Sequence, residues 1–243
     1  MNNQNFPGSS GRYERQISLI GPEGQKKLSD ATILIAGAGG LGSPAATYLA
    51  LAGVGELVIV DDDIIQESNL NRQFLHASQS IGLQKVYSAQ ATLEKLQPDV
   101  SVVAYPKRLD AQSADQLIKD ADLVIDALDN YESRFILHEA AWKAGIPFIH
   151  GAIEGFSGQL TSIIPKSSPC LSCLIPSAPP AGKVSVMGAT AGVIGSMQAM
   201  EAIKYITNSG SMISGRLLIW DGLSGRIEFM KTEKRKNCQV CSK

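Results

Sequence analysis

The sequence predicts an α/β fold: a doubly wound, Rossmann-like, mostly parallel sheet followed by antiparallel strands. Three observations lead there. Short apolar runs alternate with helix-length runs through Gly151. A glycine turn, Gly37-Ala-Gly-Gly-Leu-Gly42, separates the first apolar run from the next helical segment. Beyond Gly151 the runs become period-two stretches bounded by glycines, as in antiparallel strands.

Each element follows from its residues. The first ten positions, rich in Asn, Gly and Ser, are expected to be mobile. Gln16 to Leu28 reads as a short helix. Thr32–Ala36 is an apolar strand, Ser43–Leu51 a small-residue helix, and Leu57–Val60 a second strand ending in acids, which together make a βαβ unit. The alternation continues with a helix at Lys85–Leu96, a strand at Val100–Tyr105 and a helix at Ser113–Lys119. A strand at Leu123–Ala127, a helix at Ser133–Ala144 and a strand at Pro147–Gly151 follow. GQLTSIIP, GRLLIWD and GRIEFMK read as the later strands, and Ala191–Ile206 as one long apolar helix. The Pro- and Ser-rich stretch KSSPCLSCLIPSAPPAGKVS reads as a long loop. Residues 1–243 are expected to form one domain.

The composition is that of an ordinary globular protein, 44% hydrophobic and 19% charged. A formal net charge of −1 gives no pull toward nucleic acid or an anionic membrane. The N-terminus has no apolar core of a signal peptide, and the most apolar stretch is broken by glycines, Glu201 and Lys204. A cytoplasmic location is the expectation.

The glycine turn sits where a nucleotide-binding loop must sit, between a strand and a helix N-terminus that offers unpaired N–H groups. Gly37, Gly39, Gly40 and Gly42 are the candidate loop residues, and Asp61, at the end of the second strand, is placed for ribose hydroxyls. These features suit NAD as well as ATP. The following string, with Asn69, Arg72, Gln73 and Lys85, favours ATP, because an intact triphosphate needs cations that a dinucleotide does not. Taken singly, Arg72 or Lys85 would be a solvated surface charge.

Asp126-Ala-Leu-Asp129-Asn130 ends a strand at the carboxyl rim of the sheet. Asp129 is the candidate ligand for Mg²⁺, with Asp126 the weaker one; the competing reading makes Asp129 a helix cap. Asn130 joins the candidate nucleotide residues. His76, His138 and His150 have no partner spacing and read as surface or core histidines. The basic tail lacks interleaved aromatics and reads as solvated. Arg12-Tyr-Glu-Arg15-Gln16 taken alone is a solvated helix start.

The four cysteines form two pairs, Cys170-x-x-Cys173 and Cys238-x-x-Cys241, separated by 64 residues. This spacing predicts a closed Zn²⁺ site of four thiolates that ties the Pro-rich loop to the C-terminal segment.

In this order, RYERQI, GAGGLGS, VDDD–NLNRQ–K, IDALDN, GVIGSMQAMEAIK and CQVC resemble the MoeB/ThiF/HesA family of ubiquitin-activating-enzyme-like adenylyltransferases. The resemblance runs over nearly the whole chain. It implies that Gly39 and Gly40 lie under the nucleotide and that Asp61, with Asp63 nearby, binds ribose. Asn69, Arg72 and Lys85 then match triphosphate ligands, and Asp129 the Mg²⁺-linked acid. Arg15 matches an arginine that reaches the other subunit's ATP in homodimers. The implied catalytic set is Arg72, Lys85, Asp129 and Arg15. The implied reaction adenylates the C-terminal Gly-Gly carboxylate of a small β-grasp sulfur carrier, of thiamine or molybdopterin type, with sulfur from a separate sulfurtransferase. Some relatives carry a cysteine on the loop before the long helix; here Ser177 to Thr190 has none. Adenylation of a peptide, a non-catalytic scaffold and an NAD-dependent oxidoreductase are the competing readings.

Overall fold

The computed structural model describes residues 11–178 and 185–242. The first ten residues and part of the loop before the long helix lie outside them. Eight strands form one sheet in the order β3-β2-β1-β4-β5-β6-β7-β8. They are β1 (Thr32–Ala36), β2 (Glu56–Val60), β3 (Ser101–Tyr105), β4 (Leu123–Asp126), β5 (Phe148–Glu154), β6 (Ser157–Ile163), β7 (Arg216–Asp221) and β8 (Arg226–Lys231). The first five are parallel and the last four pair antiparallel. Strand order reverses between β1 and β4, where a doubly wound sheet opens its ligand crevice.

The helices are α1 (Glu14–Asp30), α2 (Gly42–Ala52), α3 (Lys85–Leu96), α4 (Ala111–Ile118), α5 (Tyr131–Ala144), α6 (Leu171–Leu174) and α7 (Gly188–Thr207). Side chains alternate across each strand, so β1 divides its apolar residues between two cores. Ile33 and Ile35 pack with α2, α3 and α7, whereas Leu34 and Ala36 pack with α4 and α5.

Three expected boundaries shift. The first helix extends to Glu14–Asp30 across Gly21 and Pro22, bending where Gly21 takes φ 71°. The fifth strand continues three residues past Gly151, because it forms a hairpin with β6. The Pro- and Ser-rich stretch contains the short helix α6, which starts just after Cys170. No helix of the described residues is long and apolar enough to cross a membrane.

Candidate nucleotide site and cysteine cluster

The four turn glycines divide by purpose. Gly37 has φ 103°, and a Cβ there would lie 2.4 Å from the Ala127 carbonyl oxygen. A Cβ on Gly42 would lie 1.9 Å from the Gly37 carbonyl oxygen. These two are glycines because the turn folds tightly on itself and on the chain leaving β4. Gly39 and Gly40 are less confined: a Cβ would meet Gln73 Nε2 at 3.6 Å or Ala191 Cβ at 3.2 Å. They present bare backbone, ahead of a helix whose first N–H groups receive no side-chain cap.

Ala38, inside the turn, is held from both sides. Its N–H donates to Asp61 Oδ2 at 2.7 Å, and its carbonyl lies 2.9 Å from His76 Nε2. His76 is buried, which pushes its imidazole below the ordinary range and keeps it neutral. A donating Nε2–H then leaves Nδ1 as an acceptor, and that atom has no partner among the described residues. Burial pushes Asp61 upward, opposed by Lys85 and the Ala38 N–H.

The segment after β2 folds back on itself. Ile64 bridges Gln84, and the Ile65 N–H donates to the Leu83 carbonyl at 2.9 Å. This closure brings Lys85, the first residue of α3, against Asp63, with Nζ 2.6 Å from Oδ2. The turn at 69–73 carries Arg72 and Gln73 over the glycines. The Arg72 stem would stand 3.5 Å from a Gly40 Cβ, while its Nη1 donates to Ser68 O and Asn71 Oδ1. Gln73 is buried with Nε2 beside Gly39, and its Oε1 has no partner among the described residues. An unpaired buried amide oxygen next to bare glycine backbone fits a polar ligand at this place. Asn69 behaves differently: its Oδ1 accepts from the Gln66 N–H at 2.9 Å, within its own turn.

At the carboxyl end of β4 the two acids separate. Asp126 is fully buried, ion-paired with Arg134 at 2.8 Å and bonded by His150 Nδ1 at 2.7 Å. Its oxygens are committed inward, so Asp126 is excluded as the weaker Mg²⁺ candidate. Asp129 is exposed. It does not cap α5, since Asn130 Oδ1 accepts from the Ser133 N–H at 2.9 Å instead. The capping side chain is thus the next residue, and the exposed Asp129 carboxylate is free of the cap.

Arg15 lies toward the C-terminal end of α2, away from the glycine turn. One residue on, Gln16 Nε2 donates to the Ala52 carbonyl at 2.7 Å, at the far end of α2. Eleven helical residues put that point about 15 Å from Gly42. Arg15 and the glycine turn of the same chain are not brought together.

All four cysteines converge, their Sγ atoms lying within 4.8 Å of one another. Separations of 3.8 Å for Cys170–Cys173 and 3.4 Å for Cys170–Cys238 and Cys173–Cys241 approach the edge of about 3.8 Å that a tetrahedron with Zn–S bonds near 2.3 Å requires. No disulfide forms, and the Arg235 N–H donates to Cys173 Sγ at 3.3 Å. This donor set fits a tetrahedral thiophilic cation. Trp142 packs against the cluster at the C-terminal end of α5, about 16 Å along the helix from the Asp129 end. His138 braces the same region by accepting the Leu171 N–H on Nε2 at 3.1 Å.

Sequence reasoning passes over Arg134 and reads His76 as a surface or core histidine. Each works through a backbone carbonyl brought close only by folding, although Arg134 does stand one helical turn after Asn130.

The chain matches the ThiF family over residues 13–241. It belongs to the ThiF family. Among relatives of this ThiF-family chain is the SAMP-activating enzyme E1 of Haloferax volcanii, 41% identical over 95% of this chain and 88% of that protein. A sulfur carrier protein adenylyltransferase of Thermus thermophilus is 38% identical over 95% of this chain and 90% of that protein. The adenylyltransferase and sulfurtransferase MOCS3 of Anopheles gambiae is 40% identical, and there the chain spans about half, 54%, of the relative's length. The solved structure of E. coli MccB with ATP shares the fold, with TM-score 0.85 and 22% identity over 97% of this chain and 76% of that one.

Proposed function

We propose that this ThiF-family protein is an ATP-dependent adenylyltransferase that activates the C-terminal carboxylate of a small ubiquitin-like sulfur carrier. The observation that carries the reading is the bare backbone of Gly39 and Gly40 with the Gln73 Nε2 amide and the Arg72 side chain beside it and Lys85 nearby. The activities for which the Haloferax and Thermus relatives are named supply the substrate class.

In this reading the backbone of the glycine turn ahead of α2 receives phosphate, and Asp61 receives ribose while bracing Ala38. An oxygen of the carrier's terminal carboxylate attacks the α-phosphorus. The new O–P bond forms as the bond to the β-phosphate oxygen breaks, giving an acyl-adenylate and pyrophosphate. The carboxylate is already ionised at neutral pH, so no general base is required. Arg72 and Lys85 counter the charge that gathers on the phosphates, and Gln73 and Asn69 orient them. Asp129 would hold Mg²⁺, and Asn130, whose Oδ1 caps α5, lies next to it among the nucleotide residues; the ion would neutralise phosphate charge.

Arg15 completes the site across a homodimer. Its distance from its own glycine turn supports this, as does the exposed apolar face beside that turn, where Pro44, Tyr48, Phe74, Val193 and Met197 line a groove. The four cysteines hold structural Zn²⁺ and leave no open coordination position. Every cysteine of the chain lies in that cluster, so the product passes to a separate sulfur donor rather than to a thiol of this protein.

Intact-mass analysis after incubation with ATP–Mg and a Gly-Gly carrier tests the reading. The expected product is carrier heavier by one AMP, with enzyme mass unchanged. Enzyme covalently joined to carrier, released by reductant, would overturn the separate-donor step, and unmodified carrier would overturn the activity.

A further inference from the structure

Three side chains meet beneath the chain between β4 and α5. Asp126, Arg134 and His150 are 0%, 3% and 1% exposed. Arg134 therefore cannot reach a phosphate in the crevice, and its charge is met by Asp126 through Nε at 3.1 Å to Oδ1 and 2.8 Å to Oδ2. His150 is held neutral by burial; its Nδ1–H donates to Asp126 Oδ2 at 2.7 Å, and its Nε2 faces Gln159 Nε2 at 3.4 Å.

What this cluster holds is backbone. The Leu128 N–H donates to Asp126 Oδ1 at 3.2 Å, and the Leu128 carbonyl accepts from Arg134 Nη2. Arg134 Nη2 also donates to Gly151 O at 3.3 Å, and Gln198 Nε2 to the Asp126 carbonyl at 2.7 Å. Both polar ends of Leu128 are thus fixed by one buried ion pair, directly before Asp129. A planar guanidinium can span the Asp126 carboxylate and two carbonyls at once, which a lysine ammonium cannot.

We propose that Asp126 and Arg134 are positioning residues that set the Asp129 carboxylate for the metal-bound nucleotide by clamping Leu128. The proposal rests on the Asp129 reading above. Groups that orient a metal ligand typically change metal affinity by about 10–100-fold when altered. A clamp acting only through Asp129 must lose its effect once Asp129 is gone.

The test is calorimetric titration of full-length enzyme with ATP plus Mg²⁺ and with ATP in EDTA, for Arg134→Lys, Asp126→Asn, Asp129→Ala and the Arg134→Lys/Asp129→Ala double variant. Asp126→Asn keeps an acceptor for the Leu128 N–H and carries the test should Arg134→Lys fail to fold. The expected result is ATP–Mg binding weakened by about tenfold or more in the clamp variants. ATP in EDTA should bind as to wild type, and the double variant should match Asp129→Ala alone. Equal weakening with and without Mg²⁺, or a further loss in the double variant, would make the cluster merely structural and overturn the proposal. Clamp variants that bind ATP–Mg as wild type does, while Asp129→Ala does not, would overturn the proposal alone. Wild-type ATP–Mg binding by Asp129→Ala would instead remove the metal reading, and the proposal with it.

Discussion

Lys85 Nζ lies 2.6 Å from Asp63 Oδ2, joining a nearly buried ammonium to a carboxylate whose side chain is 60% exposed. On the proposed function, this nearly buried ammonium, with a single solvated partner, turns to phosphate when nucleotide binds. Lys85→Met keeps the apolar stem and removes the charge. Loss of one preorganised charge costs about 10²–10³ in turnover, so ATP–pyrophosphate exchange should fall by that factor with little change in melting temperature. Near-normal exchange by this variant would show that Lys85 serves only to pair Asp63.

The cysteine cluster predicts one zinc per chain. Metal removal should lower stability by a few kcal/mol, about 10 °C at this chain length, rather than act on the chemistry. Cys173→Ser and Cys241→Ser should do the same. Metal analysis with melting curves before and after a strong chelator decides the matter; a metal-free preparation that melts unchanged would refute the site.

His138 gives stability a defined pH dependence. Burial lowers its pKa to about 3, whereas the unfolded chain's histidine takes up a proton near the ordinary 6.5. Below pH 6.5 the unfolded state therefore binds a proton that the folded state does not, and stability falls as pH falls toward 3. The contribution is complete above 6.5, and its loss approaches about 1.4 kcal/mol per pH unit below it. Urea unfolding at pH 7.5 and 5.5 should show a drop smaller by about 1.4 kcal/mol in His138→Gln than in wild type. Equal drops would mean His138 is not held neutral in the fold.

Arg15 should be replaceable in trans. Mixed Arg15→Ala and Asp129→Ala chains form a heterodimer with one complete composite site, so exchange activity should recover in part. Heterodimers verified by native mass spectrometry that remain inactive would mean that Arg15 acts in cis or not at all.

Much of the fold was legible because local chemistry and global position agree. β1 and α3 fall at the expected residues, since an apolar run next to a glycine turn and a helix after Gln84 leave little choice. The expected helix, Gln16 to Leu28, already crosses the Gly21-Pro22 step, and α1 does so with a bend where Gly21 takes φ 71°. Gly151 reads as a strand end, but its missing Cβ leaves room for Gln198, whose side chain would come within 2.7 Å of one. In the site, residue types and order made Gly39, Gly40, Arg72, Gln73 and Asp129 visible. The division between Asp129 and Asn130 was not, because either side chain can cap a helix and only the fold shows which does. The clamps on Ala38 and Leu128 were invisible for a similar reason: the atoms held are backbone atoms, which carry no sequence signature.

On the proposed function the crevice transfers AMP to a carrier's terminal carboxylate, with Asp129 as the residue that would hold Mg²⁺. Carrier-dependent ATP–pyrophosphate exchange measures that step most directly, because adenylate formation is reversible and needs the acceptor. Wild-type enzyme should exchange label only when a carrier with a free Gly-Gly terminus is present, and folded Asp129→Ala should exchange none. Exchange without carrier, or near-normal exchange by Asp129→Ala, would contradict the account.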